Sequence, residues 1–154
     1  FKYKDSLDVN CKSVIYTGPI DRYYDYQFGE LEYRPLKFET KVLDTENYQG
    51  HSVVNYTSAK VPFTRVIEHK HFNNDDSSKT VITHEYPIEY NRNEEPYYPI
   101  NDKSNQELYQ KYSALAEVEY SVHFGGRLAE YKYYDQHQVI ESALNFIKNI
   151  NQKQ

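Results

Sequence analysis

Hydrophobic and polar positions divide the chain into two stretches with different periods. Residues 13–17 (SVIYT) form a short, β-branched apolar run stopped by Gly18-Pro19, the pattern of a buried strand ending in a turn. Asp21 then stands where it can cap a short helical turn through Tyr23 and Tyr24. From Leu36 the chain alternates, with Leu36, Phe38, Thr40 and Val42 on one side and Lys37, Glu39 and Lys41 on the other, which predicts a half-exposed strand. Residues 52–56, 64–72 and 80–86 read as three more strands, the last two joined by the polar loop 73–78, so an antiparallel sheet is expected. Beyond residue 100 the period becomes helical. Ser104 and Glu107 have capping-box spacing before Leu108, Tyr112, Leu115 and Ala116, predicting a helix over 105–117. Residues 118–124 read as a strand broken by Gly125-Gly126. Asp135 and Gln138 repeat the capping pattern ahead of a last helix with the apolar stripe Val139, Ile140, Ala143, Leu144 and Ile147, of which the line through Val139, Ala143 and Ile147 is expected to pack inward.

Composition narrows the class. With 154 residues, one domain's worth of chain is present. The 35 Leu, Ile, Val and Phe residues, about 23% of the chain, exceed the level below which disorder is the better reading. A net charge of −5 argues against a general electrostatic grip on nucleic acid or anionic lipid, so a bound anion must be held by a few placed groups. No apolar run reaches membrane-span length and no signal-peptide pattern opens the sequence, from which a soluble, cytoplasmic protein is expected. The single cysteine, Cys11, cannot form an internal disulfide; it reads as a buried thiol in a reducing compartment. A chain without methionine that opens on Phe1 is expected to be a piece of something longer. Eighteen tyrosines against eight leucines suit a partly wet cleft for polar, ring-shaped ligands, or rings that cover the rim of a small core.

Three segments carry candidate chemistry. In His123-Phe124-Gly125-Gly126-Arg127-Leu128 a strand runs into two glycines, where backbone can approach a ligand, and an arginine follows that can pair with phosphate or carbonyl oxygen. The helix that begins near Asp135 has an amino end that favours a neighbouring negative charge; a tight turn followed by an ordinary capped helix is the plainer alternative. Arg65 alternates onto one strand face with Ile67, His69 and His71, and on a tyrosine-rich face it could clamp a diphosphate. His69, His71 and His84 read as structural histidines, and no metal is expected. In Glu94-Glu95-Pro96-Tyr97-Tyr98-Pro99 two prolines fix a tyrosine pair for stacking or phosphate bonding, or simply make a turn. None of the five glycines falls in a G-x-G-x-x-G or P-loop pattern, so nothing here cradles a dinucleotide pyrophosphate alone.

The segments VIYTGPID (14–21), FGELEYR (28–34), VPFTR (61–65), EHKHF (68–72), PYYP (96–99), FGGRL (124–128) and YKYYD (131–135) together resemble the UDP-galactopyranose mutase family of the bacterial type, over nearly all of this chain but only the carboxy-terminal part of that enzyme. The resemblance implies a flavoenzyme that interconverts UDP-galactopyranose and UDP-galactofuranose, with reduced FAD as the nucleophile and a homodimeric whole enzyme. It implies catalytic or substrate roles for Arg65, on the diphosphate, and for Tyr98 and Tyr133, on its phosphates. Asn55 would line the sugar site, and Gly126, Arg127, Asp135 and Gln136 would lie along the flavin. Gln136 and His137 depart from the family's pattern at that edge, and the FAD fingerprint, a mobile-loop arginine and the uridine-binding segment belong to a part this chain does not contain.

The expected fold class is therefore α+β: an antiparallel sheet with flanking helices, as the carboxy-terminal fragment of a Rossmann-like FAD-binding flavoenzyme. Residues 1–31 would belong to the FAD-binding domain and 32–100 would form the substrate-binding sheet. Residues 101–154 would complete the flavin site. The isolated chain is expected neither to hold FAD tightly nor to turn over. The alternative, from another class, is a standalone tyrosine-rich carbohydrate- or nucleotide-binding module without flavin.

Overall fold

The computed structural model describes residues 12–151 except Asn74 and Arg92, so Cys11 and the expected buried thiol lie outside the described residues. In chain order the elements are β1 (Val14–Tyr16), α1 (Ile20–Tyr23), β2 (Tyr33–Leu43), β3 (Val53–Asn55), β4 (Arg65–Glu68), α2 (Lys70–Asn73), β5 (Thr80–Pro87), β6 (Pro96–Pro99), α3 (Lys103–Glu117), β7 (Val122–Phe124), α4 (Gly126–Ala129) and α5 (Gln136–Asn151). The class is α+β, with helices and a largely antiparallel sheet in the order β3-β4-β5-β2-β6, besides a separate β1-β7 pair. Two compact units result, one built from the chain up to Arg34 together with Pro96 onward, the other from Pro35–Glu95.

The first unit has a core of tyrosines. Tyr33, Tyr112 and Tyr131 are buried with Ile20, Leu31 and Ala129. Their hydroxyls find backbone partners, as a buried phenol must. Tyr112 Oη accepts from the Phe28 N–H at 3.0 Å and donates to the Gly29 carbonyl at 2.6 Å, and Tyr131 Oη donates to the Glu32 carbonyl at 2.6 Å. The tyrosine excess is therefore partly a core, and each of these rings locks a turn as well as filling space. Asp21 does not cap α1, which starts one residue earlier after Pro19. It is buried inside the helix, and its carboxylate accepts from the N–H groups of Arg22 and Leu31, both at 2.9 Å. Burial raises its pKa against the pull of those bonds. The α3 cap is also displaced: Asp102, not Ser104, accepts the Asn105 N–H, at 2.8 Å.

β7 pairs parallel with β1, Val14 opposite Val122 and Tyr16 opposite Phe124. Only Val122–Phe124 of the expected 118–124 strand forms; Val118 closes α3, and Tyr120 is almost wholly exposed. The last helix begins at Gln136 as the capping pattern predicts, with the Gln138 side chain accepting the Asp135 N–H at 2.8 Å. Its inward face is a correction. Of the expected face only Val139 is half-buried, together with Ser142 and Phe146, while Ala143 and Ile147 are exposed, as are Ile140 and Leu144.

In the second unit β4 lies between β3 and β5, with Arg65 opposite both Asn55 and Glu85. Val66 and Glu68 are fully buried, together with Thr80 and Ile82, while Arg65 and Ile67 face the other way, so the predicted alternation holds over four residues. It stops there. Residues 70–73 turn into α2, which removes His71 from the strand face on which the sequence placed it. Polar bonds hold the turn: Lys70 Nζ donates to the Glu46 and Ser77 carbonyls at 2.7 and 2.6 Å.

Candidate functional site

Two clusters emerge, one in each unit. In the second, β4 and β3 put Arg65 and Asn55 side by side, and Arg65 Nε donates to Asn55 Oδ1 at 2.9 Å. The β4–β5 register brings Glu85 to the other flank, where its Oε2 lies 3.3 Å from Arg65 Nη1. Thr64 Oγ1 holds the opposite oxygen of the same carboxylate at 3.1 Å. The Arg65 side chain is 36% exposed and that of Glu85 only 9%. Arg65 is thus ion-paired to a largely buried carboxylate while its own side chain keeps access to solvent. A guanidinium has five N–H donors in a fixed fork, and these bonds occupy two. The three remaining donors belong to a side chain that is held by Asn55 and Glu85 and keeps access to solvent, an arrangement suited to a doubly charged anion.

On the opposite face of β5, His84 and Tyr86 alternate with Glu85. The Phe63 ring packs 4.5 Å from that of His84 and 4.9 Å from that of Tyr56. Burial first, and the charge of Lys41 next, lower the His84 pKa, which keeps the imidazole neutral. His69 Nε2 lies 2.8 Å from Thr83 Oγ1, and His71 Nε2 is 3.1 Å from the Glu68 carboxylate. These contacts fit structural histidines, and among the described residues no group of three or more His, Cys, Asp or Glu side chains is arranged to hold a metal ion.

In the first unit β6, α4 and the segment before α5 bring Tyr98, Arg127 and Tyr133 together. The Tyr98 and Tyr133 rings lie 5.2 Å apart at 30°, and the Arg127 guanidinium stands 5.2 Å from the Tyr98 ring centre, within cation–π range. Arg127 Nη2 donates to the Tyr134 carbonyl at 2.7 Å, which fixes the guanidinium beside the approach to α5. Tyr133 is 62% exposed. Gly125 is extended and leads into α4, a helical turn starting at Gly126 that the sequence reading did not foresee.

Gly126 has φ +87, and a Cβ there would meet Thr17 at an ordinary 3.8 Å. Conformation and not space therefore demands glycine. Gly126→Ala should cost about 1–2 kcal/mol of stability, seen as a lower urea midpoint for the intact protein, whereas Gly125→Ala, with open space and ordinary φ, should change it little.

Asp135, Gln136 and His137 are exposed at the start of the 16-residue α5. That amino end, the Gly125-Gly126 backbone and Arg127 together fit the anionic edge of a planar ring system, since helix N–H groups and a guanidinium both favour negative charge. They supply no pyrophosphate cradle.

Sequence reasoning missed Glu85, because its pairing with Arg65 comes from a ladder joining residues twenty apart. It also missed the Tyr134 carbonyl that anchors Arg127.

Residues 1–133 match the family described as UDP-galactopyranose mutase. The chain is 44% identical over 132 residues to a probable UDP-galactopyranose mutase of Klebsiella pneumoniae, covering 85% of this chain and 34% of that protein. It is 39% identical over 141 residues to a dTDP-fucopyranose mutase of Escherichia coli, covering 88% and 37%, and 40% identical over 135 residues to a UDP-galactopyranose mutase of Mycoplasma genitalium, covering 84% and 33%. The chain spans about a third of the length of these curated relatives. The matched family segment includes Asn55, Arg65, Tyr98, Gly126, Arg127 and Tyr133 and ends just before Asp135 and Gln136.

Proposed function

The chain belongs to the UDP-galactopyranose mutase family, and from that premise we propose that it is the carboxy-terminal, substrate-holding portion of a flavin-dependent isomerase that interconverts UDP-galactopyranose and UDP-galactofuranose. The observation that carries the reading is the Asn55–Arg65–Glu85 arrangement, a pre-oriented, solvent-accessible guanidinium with donors to spare, within a chain of this family. Arg65 takes the substrate diphosphate on the part of its fork that Asn55 and Glu85 leave outward. Because those neighbours already fix the guanidinium, little side-chain entropy is lost when the anion arrives. Asn55 has a second task, its amide lining the sugar side of the same site. The Tyr98 and Tyr133 hydroxyls donate to phosphate oxygens, as the family resemblance implies; the two rings pack against each other at a tilt, and Arg127 over the Tyr98 ring limits its motion.

Gly126, Arg127, Asp135 and Gln136 would hold one edge of FAD; when bound and reduced, the flavin supplies the nucleophile for the anomeric carbon. The chain's own contribution there is charge: an anion at the start of α5 gains about 0.3–1 kcal/mol when exposed and up to ~2 when partly buried. The Rossmann-like origin, the division at residues 31 and 100, a cytoplasmic location and a homodimeric whole enzyme belong to the same proposal. Among the described residues no helix is long and apolar enough to cross a membrane.

The test compares the isolated chain with the intact protein. The intact protein should purify with flavin absorbance and bind UDP, whereas the isolated chain should carry no stoichiometric flavin, since it has no pyrophosphate-cradling glycine loop. Stoichiometric yellow flavin on the isolated chain would overturn the assignment of FAD binding to residues beyond it. UDP binding by an intact protein that holds no flavin would instead favour the nucleotide-binding module.

A further inference from the structure

Thr64, the residue immediately before β4, is tied to the segments on both sides of it. Its N–H donates to the Glu85 carbonyl and its own carbonyl accepts from the Tyr56 N–H, both at 2.9 Å. Arg65, the next residue, also stands opposite Glu85. Two successive residues on one side of the ladder thus address a single residue on the other, the count of a β-bulge, a device that re-aims side chains. Strict alternation would send Thr64 and Arg65 to opposite faces. Here both reach the Glu85 carboxylate, Thr64 Oγ1 donating to Oε1 at 3.1 Å and Arg65 Nη1 standing 3.3 Å from Oε2. The hydroxyl also lies 3.2 Å from the Glu85 carbonyl, but that oxygen already takes the Thr64 N–H, which leaves the hydroxyl proton for the carboxylate.

Each bond removes a different freedom. The terminal torsion of a glutamate side chain is broad and roughly two-fold, so nothing in Glu85 itself fixes the plane of its carboxylate. The Thr64 hydroxyl on one oxygen and the guanidinium on the other do. The Arg65 plane is in turn defined by two points, Nε on Asn55 at 2.9 Å and Nη1 on Glu85. With the carboxylate free to turn, the guanidinium would pivot about the Asn55 bond and its remaining donors would lose their aim. Phe63 steadies the bulge from the other face, its ring packed against those of His84 and Tyr56.

We propose that Thr64 is a positioning residue for anion binding: through the Glu85 carboxylate, its hydroxyl holds the Arg65 guanidinium in the orientation that meets a diphosphate. The inference rests on the reading of Arg65 as the group that takes the substrate diphosphate, and adds a residue that acts on the ligand only through two others. Its exposure sets the size of the effect. Thr64 is exposed, so water can replace the hydroxyl as a donor to Glu85. What water does not supply is a fixed direction. Loss of the hydroxyl therefore weakens binding several-fold, well short of the loss of the guanidinium itself.

The experiment is a double-mutant cycle on the intact protein, read by UDP titration. Thr64→Val keeps the β-branched shape and the backbone bonds of the bulge and removes only the O–H. It should weaken UDP binding several-fold with the melting temperature little changed, whereas Thr64→Ser, which keeps the hydroxyl, should bind UDP as wild type does. In an Arg65→Ala background Thr64→Val should cost nothing further, because the group it positions is gone; a threonine with a merely structural role would cost the same in both backgrounds. Wild-type affinity in Thr64→Val, an equal loss in Thr64→Ser, or an undiminished loss on top of Arg65→Ala would overturn the proposal. The two failures are distinguishable. If Arg65→Ala binds UDP as tightly as wild type, the reading of Arg65 falls and the proposal with it; a loss in Arg65→Ala with none in Thr64→Val overturns the proposal alone.

Discussion

Arg65→Ala in the intact protein should weaken UDP binding by about 2–5 kcal/mol, the range seen when one member of a buried, hydrogen-bonded charge pair is truncated at a binding site. That is roughly a 30-fold or greater loss of affinity. Two effects add. The diphosphate loses its bidentate partner, and the Glu85 carboxylate, only 9% exposed, is left facing the incoming anion without its cation. Arg65→Lys should recover part of the loss, since it restores charge but not the fork that meets Asn55 and a phosphate together. Titration calorimetry with UDP reads the change, and a melting curve on the same samples separates lost binding from lost folding. Unchanged affinity in a folded Arg65→Ala variant would remove Arg65 from the site.

The second large effect concerns stability. Glu68 is fully buried, and its carboxylate accepts from the N–H groups of Tyr48 and Gln49, both at 2.9 Å, and from Thr80 Oγ1 at 2.7 Å, with His71 at 3.1 Å. It ties the loop ahead of β3 to β4 and β5. Burial alone would raise its pKa, but these donors together outweigh burial and hold it at about 2, below the ordinary 4.5. Glu68→Ala strands the buried Thr80 hydroxyl and two part-buried N–H donors at once and should cost about 3–5 kcal/mol. Hydrogen exchange at the Tyr48 and Gln49 amides should accelerate with it. The pH dependence has a definite sign: a carboxyl whose folded pKa is depressed contributes stability that is complete above about 4.5 and is lost as pH falls towards about 2. Chemical denaturation of wild type between pH 5 and 2 should show that decline, and Glu68→Gln should flatten it. Equal slopes for the two proteins would show that Glu68 is not the group responsible.

Much of the second unit was legible because strands announce themselves through alternation. The strand read from Leu36 to Val42 and the β-branched run of β5 both form, in antiparallel register, but Phe38, Thr40 and Val42 are exposed as well as Lys37 and Lys41, so the expected burial of one face of β2 is not found. The reading over-ran at residues 69–72, where His-Lys-His-Phe continues a formal alternation that the backbone does not follow. After Glu68 the chain turns into α2, where Lys70 bonds the carbonyls of Ser77, seven residues on, and of Glu46, twenty-four residues back, contacts that the strand pattern does not contain. Helix α5 shows the other kind of miss. Its apolar stripe was assigned to the chain's own core, but Phe146, against His123, supplies the inward contact, and the described residues do not cover Ile140, Leu144 and Ile147. A stripe reports that a helix has an apolar face and says nothing of which surface meets it. Of the candidate site, the GGR turn and the later helix α5 could be read from residues alone, and separate roles for Asn55 and Arg65 came through the resemblance, but their mutual hydrogen bond required the β3–β4 ladder. The Glu85 contact required the ladder itself.

The central claim is tested most directly by turnover. The intact protein, with its flavin reduced by dithionite, is incubated with UDP-galactofuranose, and the products are separated by chromatography, with dTDP-fucopyranose assayed in parallel because one relative carries that specificity in its name. Conversion of UDP-galactofuranose to UDP-galactopyranose, abolished or strongly reduced in Arg65→Ala, is the predicted result. No conversion of UDP-galactofuranose by the reduced, folded protein, or conversion of the dTDP sugar alone, would contradict it.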